Sequence, residues 1–281
     1  MKKAIQILIV AIFCAAFNVS AQPGVFQPGD YKDGIYDKEN SVNRRYIPYT
    51  HLREGDVVWE KRVWRELDLR EKQNHQLYYP IEVITGRISL FQLLSKYILN
   101  GSIIAFGDDE FQEPLELSVI KDKLKKCDSI QQSTFTADGE EVFTSVFSCD
   151  STSIFREIYK YQLKEDWFFD KQKSVLEVRI LSLSAYQYIA DKETYKDIFY
   201  VYFPACRPYF AKHEVYNAKN DSERRTFEDI FWKRQFSSTI IRETNVYDRM
   251  FQEYSKGIDL LLENDRVKND IFRWEHDLWH F

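Results

Sequence analysis

The chain has 281 residues, among them 6 Trp, 18 Tyr and 21 Phe, against only 9 Gly and 7 Pro. Glycine and proline at about 6%, where ~12% is average, exclude collagen-like, linker-rich and low-complexity classes and leave few positions for glycine-built phosphate loops. The formal charge of −5 comes from 39 basic and 44 acidic residues with both signs interspersed, so nothing indicates a nucleic-acid surface.

Residues 1–21 read as a secretory signal peptide. Lys2 and Lys3 form a basic start, Ala4 to Phe17 an apolar run interrupted by Gln6, and Val19-Ser20-Ala21 a small-residue cleavage site before Gln22. The run is too short for a spanning helix of ~20 residues. Phe13 stands ahead of Cys14 where lipoprotein processing needs a small residue. Cleavage after Ala21 predicts an exported chain without membrane insertion of its own, its charge moved from −5 to −7 by the loss of two lysines. Export permits disulfides. Cys127 and Cys149 flank a predicted hairpin and are the candidate pair; three free or buried thiols, Cys206 included, are the alternative, because the spacing forms no framework.

Residues 22–53 collect Pro23, Gly24, Pro28, Gly29, Gly34 and Pro48 with Tyr31, Tyr36, Tyr46 and Tyr49, and show no sustained period, which predicts an extended arm. Its aromatics need a surface, either the chain's own body or a partner. From Glu54 the i, i+4 spacing of Trp59, Val63 and Leu67 predicts a helix running to about Asn74, followed by an extended Leu77-Tyr78-Tyr79-Pro80. A second helix is expected from Ser89 to Leu99, stopped by Asn100-Gly101, then a short strand from Ser102 to Phe106. Pro114 opens an amphipathic stretch ending in Lys121 to Lys126, whose charge run reads as a solvated helix end. A hairpin from Ser133 to Phe147 turns at Ala137-Asp138-Gly139. A helix is expected after Ser151, strands at Val175–Tyr186 and Ile198–Phe203, and helices from Ser222 to Thr244 and from Lys256 to Trp279. Helices flanking antiparallel strands give an α+β class. Asp56 to Val63 and Asp229 to Phe236 echo each other, which raises two related halves, 54–150 and 151–281, with Trp59 and Trp232 in equivalent core sites.

Motifs for chemistry fail on inspection. No GxG, GxSxG or CxxC occurs, and Gly24 with Gly29 is followed by Asp30 where a P-loop needs lysine. His276 and His280 lie one helical turn apart, but no third metal ligand has suitable spacing. Glu165 and Asp166 are adjacent on a strand and so face opposite ways, unlike carboxylates that flank one glycosidic bond. No cofactor, metal or catalytic group is therefore expected.

The words Arg44-Arg45-Tyr46-Ile47-Pro48-Tyr49, Asp56-Val57-Val58-Trp59, Asp68-Leu69-Arg70-Glu71-Lys72 and Leu77-Tyr78-Tyr79-Pro80 resemble the gliding motility protein family GldN, also called PorN. So do Lys164-Glu165-Asp166-Trp167-Phe168-Phe169-Asp170, Asn220-Asp221-Ser222-Glu223-Arg224-Arg225, Ile230-Phe231-Trp232-Lys233-Arg234 and Glu275-His276-Asp277-Leu278-Trp279. The resemblance implies a periplasmic, non-enzymatic component of the type IX secretion system of the Bacteroidetes. It implies a ring with a GldK/PorK-like outer-membrane lipoprotein and further copies of the chain, linked functionally to GldL- and GldM-like motor proteins. Tyr31, Tyr36, Arg44, Arg45, Tyr46 and Tyr49 are then the candidate partner contacts. A periplasmic hydrolase with a carboxylate pair and a carbohydrate-binding module showing surface Trp and Tyr are the competing classes.

Overall fold

The computed structural model describes residues 43–82, 86–135, 141–150, 153–189, 193–217, 219–220 and 222–277, with 126–135 and 141–150 described by backbone alone. The hairpin turn at Ala137-Asp138-Gly139 lies outside them.

Strand β1 (Val57–Asp68) replaces the helix expected from Glu54. Four residues are nearly one helical turn, but also two strand repeats, so the spacing of Trp59, Val63 and Leu67 suits either conformation. The β-branched and aromatic content of Val57-Val58-Trp59 and Val63-Trp64 favours a pleated surface, and tertiary pairing settles it. Beyond β1, the segment expected to be extended opens with α1 (His75–Tyr78) before Pro80.

Helix α2 (Leu90–Leu99) forms where expected. The Gln92 N–H donates to Ser89 Oγ while the Ser89 N–H donates to Gln92 Oε1, a reciprocal cap. Gly101, at φ +71°, supplies the left-handed stop that a side chain would resist. Strand β2 (Ala105–Phe106) and helix α3 (Leu117–Lys123) follow, then β3 (Lys126–Phe135) and β4 (Glu141–Asp150), which pair as a separate two-stranded sheet.

In place of the helix expected after Ser151 there is one 3-10 turn, Ser153–Arg156, and then β5 (Ile158–Asp170). Strands β6 (Val175–Ile189) and β7 (Thr194–Tyr202) complete the centre of the main sheet. Pro204, read as ending a strand, lies in the first turn of α4 (Phe203–Phe210), where its missing N–H has no partner to lose. The helix expected over Ser222–Thr244 divides into α5 (Phe227–Trp232) and β8 (Thr239–Glu243). Thr226 and Asp229 cap the start of α5, Arg234 at φ +52° breaks it, and the β-branched Thr239-Ile240-Ile241 then pairs with β1. Helices α6 (Phe251–Tyr254) and α7 (Ile258–Asp277) close the described chain.

The main sheet is antiparallel, in the order β2-β7-β6-β5-β1-β8, and with its helices it gives the expected α+β class. It draws strands from both sides of residue 150. The echoing segments are not structural equivalents, since Asp56–Val63 runs into β1 and Asp229–Phe236 spans α5 and a turn. Nor do their tryptophans share a core site. Trp59 stacks on Trp274 of α7 at 4.6 Å, whereas Trp232 is 50% exposed.

The principal core packs α2, α4 and α5 on the sheet through residues such as Leu67, Leu94, Leu163, Phe203, Phe210 and Phe231. A second cluster joins Val63 and Ile240 to Phe251 and to Val267 and Ile271 of α7. Between the two, Arg65 lies on β1 between Val63 and Leu67, opposite Leu163, and Glu165 lies opposite Val63. Alternation puts Arg65 and Glu165 on the face that carries both clusters.

Candidate functional site

Glu165 and Asp166, which face opposite ways on β5, are both ion-paired. Glu165 is fully buried and accepts hydrogen bonds from Arg65 Nε at 2.9 Å, Arg234 Nη1 at 2.9 Å, Arg234 Nη2 at 3.0 Å and Trp167 Nε1 at 3.2 Å. Asp166, on the opposite face, receives both forks of Arg62, at 2.6 and 2.8 Å. Glu165 thus accepts four hydrogen bonds, about the full capacity of a carboxylate, and Asp166 serves as the counter-charge of Arg62. His276 lies beside Asp277, and His280 is outside the described residues. No group of three or more metal-ligating side chains occurs among the described residues. Cys206 is a buried free thiol, pushed well above the ordinary thiol range by burial. The strands bring residues 127 and 149 into direct register.

The arm provides the more informative site. Tyr31 and Tyr36 lie outside the described residues, but residues 43–53 are described and dock on the body. Arg207 of α4 organises the seat. Its guanidinium is buried, donates from Nη2 to the Ile47 carbonyl at 2.6 Å and from Nε to Glu228 Oε1 at 2.9 Å, and lies 4.1 Å from the Tyr49 ring centre. The rings of Tyr46 and Trp232 flank it at 5.2 and 5.0 Å. A guanidinium suits this task because it stays charged, hydrogen-bonds in its plane and stacks on aromatic faces.

Further along the arm, Arg179 of β6 donates from Nη2 to the Thr50 carbonyl at 2.7 Å and lies 5.1 Å from the Tyr49 ring centre. Lys173 donates to Thr50 Oγ1 at 2.8 Å. Arg44 donates to Asp229 Oδ1 at 2.7 Å, while Arg45 stays exposed. The arm is thus held by main-chain carbonyls and aromatic rings together. Of the six residues singled out from sequence, Arg44, Tyr46 and Tyr49 converge on this seat.

Electrostatics follow from the burial. The Tyr49 phenol is raised above its usual range by burial, despite nearby Arg207. Burial also raises Glu228, with the Arg207 hydrogen bond and charge opposing it. At Asp229, burial acts upward, but hydrogen bonds from Thr226 and the charge of Arg44 outweigh it and hold the carboxyl low. A cavity of about 320 Å³ adjoins the seat, bounded by arm residues on one side and by β6, α4 and α5 on the other.

Reading the sequence for conspicuous tyrosines missed Arg207, Arg179 and Glu228. A signal for Arg207 existed: it falls four residues after Phe203 and three before Phe210, which is the buried stripe of α4. A charge on such a stripe demands a partner.

No helix among the described residues is long and apolar enough to cross a membrane. No curated protein matches the chain. The model of the family described as gliding motility associated protein GldN matches residues 52–280, a span that takes in the whole six-stranded sheet, the body side of the arm seat and both apolar clusters. The chain therefore belongs to the GldN family and is a component of the gliding motility and type IX secretion machinery.

Proposed function

We propose that the chain is a non-enzymatic structural subunit of this machinery, exported to the periplasm after cleavage at Ala21. There it forms a ring of further copies with a GldK/PorK-like outer-membrane lipoprotein, which holds it at the inner face of that membrane. Its link to GldL- and GldM-like motor proteins is functional.

The observation that carries this reading is the outer face of α7. Ile258, Leu261, Leu262 and Phe272 are between 52% and 75% exposed and lie on the stripe opposite the buried Asn264, Val267 and Ile271. Val246 and Tyr247, in the loop after β8, are 96% and 73% exposed. Large apolar side chains gathered on an amphipathic helix indicate a surface that is covered in the working assembly. The neutralised Glu165 and Asp166 support a structural role over a hydrolytic one. The arm ahead of Arg44, including Tyr31 and Tyr36, and the exposed Arg45 at its base contribute a second contact to a neighbour or to the lipoprotein.

Size and partner measurements on detergent-solubilised native membranes test the proposal. Co-purification with the lipoprotein in a particle of megadalton scale is expected, and Leu262→Glu with Phe272→Glu should release the chain from it. A parent chain that runs as a monomer without the lipoprotein overturns the reading.

A further inference from the structure

The apolar face of α7 has a counterpart on the other side of the molecule. Leu99 ends α2, Ile104 precedes β2, and Leu117 and Val119 lie in the first turn of α3; all four are between 39% and 61% exposed. Backbone hydrogen bonds draw them to one corner. The Leu115 N–H donates to the Ala105 carbonyl at 2.8 Å, which sets the start of α3 beside Ile104, and the Ile103 N–H donates to the Tyr97 carbonyl at 3.2 Å, which folds that segment against the end of α2. Ile120 is buried in the principal core and Lys123 Nζ donates to the Ile198 carbonyl of β7 at 2.8 Å, so α3 is fixed with Leu117 and Val119 outward.

The two apolar faces stand at opposite margins of the main sheet. Helix α7 packs on β1 and β8 through Val267 and Ile271, and its Asn264 Oδ1 accepts from the Ile240 N–H at 2.7 Å. The α2–α3 corner sits instead at β2 and β7, five inter-strand steps or roughly 24 Å away. Their charges are opposite as well. Helix α7 has six carboxylates against Arg266, Lys268 and Arg273, an excess of three negative charges, and the exposed Asp265 lies in the middle of its apolar stripe. Helices α2 and α3 carry Lys96, Lys121 and Lys123 against Asp122, an excess of two positive charges. Pairing either face with its own copy would set like charge against like, whereas pairing one with the other joins apolar to apolar and acid to base. Given the reading of the chain as one copy among many, on which this rests, we propose that α7 of one copy docks on the α2–α3 corner of the next. Such a contact is heterologous: it leaves one free face of each kind at the ends of any row of copies, and it closes into a ring when the rotation per copy allows. A symmetric contact would stop at two.

The test is made on particles purified from native membranes. Leu261→Cys and Val119→Cys are introduced singly and together, and the particles are treated with a bismaleimide and run on denaturing gels, with the parent chain as the control for its own cysteines. The doubly substituted chain should give a ladder of dimers, trimers and larger multimers, because each copy is joined to two neighbours, and the single variants should give none. Leu117→Glu with Val119→Glu leaves α7 intact and should still lower the chain recovered in the particle about tenfold or more. Circular dichroism of the purified variants verifies that these exposed substitutions keep the fold. Dimers from either single cysteine variant overturn the proposal, since a face then meets its own copy. So do the absence of a ladder, cross-linking of α7 to the lipoprotein alone, and an undiminished yield of the Leu117→Glu, Val119→Glu chain in the particle. In each of these cases the particle persists and the assembly reading stands; a parent chain found outside any particle overturns both.

Discussion

Replacing Glu165 by alanine removes the one carboxylate between the two apolar clusters that holds both Arg65 and Arg234. Arg65 is left buried, flanked on β1 by Val63 and Leu67, with its principal counter-charge gone. Taking one partner from a buried ion pair costs about 3–5 kcal/mol, because the remaining charge stays desolvated. A domain has only ~5–15 kcal/mol of net stability, so the loss is a third of it or more. Arg234→Ala should cost less, about 1–2 kcal/mol, because its side chain is 26% exposed and Glu165 keeps Arg65. Glu165→Leu combined with Arg65→Met should recover much of the deficit, since the site then joins the clusters as apolar volume. Urea unfolding of the purified chain, followed by fluorescence, measures the series. A Glu165→Ala protein within about 1 kcal/mol of the parent would refute the reasoning, since that is the scale of an exposed pair.

Four further outcomes are expected. Ser89→Ala should lower stability by about 1 kcal/mol, read as a drop in the thermal midpoint, because the reciprocal cap of α2 loses its hydroxyl acceptor. His213 meets the Tyr97 hydroxyl at 2.9 Å through Nε2, and burial, then the charges of Lys96 and Lys212, lower its pKa below the ordinary ~6.5. The unfolded chain therefore binds the proton first; stability is full above pH ~6.5 and falls as pH drops towards the lowered folded value, and His213→Gln should flatten that part of the profile. Arg207→Met should free the arm, accelerating tryptic cleavage after Arg45 about tenfold, and cleavage at the parent rate would show that the guanidinium does not latch it. If the chain is exported as proposed, the direct register of residues 127 and 149 leads us to expect a Cys127–Cys149 disulfide, worth about 3 kcal/mol and visible as a two-proton mass difference on reduction.

Legibility in the sequence depended on whether a residue's neighbours were local. Helix α2 could be read because its cap, apolar stripe and glycine stop all lie within thirteen residues, Ser89 to Gly101. The hairpin and β6 could be read because strict alternation has no helical counterpart. Strand β1 could not, because its i, i+4 spacing is shared by both periods and its pairing partners lie roughly 100 and 180 residues away. Residues 222–244 misled for a related reason. Asn74 fixes the turn there by exchanging hydrogen bonds with the backbone of Ser237, a contact across 163 residues. At the site, tyrosines announced themselves by number on a segment unable to bury them. The arginines that seat them did not, since an Arg among 39 basic residues carries no mark unless its helical phase is worked out.

The two ends of the main sheet have a consequence for how copies of this chain can meet. Strand β2 has two residues where its neighbour β7 has nine, and β8 has five where β1 has twelve. Beyond the reach of β8, the outer edge of β1 carries Glu60, Lys61 and Arg62. Short margins and charged side chains are how sheets resist extension by another chain's strand. Continuous backbone pairing from molecule to molecule, the route to fibres, is thus disfavoured at both margins. At these two margins, contacts between subunits would run through side chains, and could be made and broken without unravelling the main sheet.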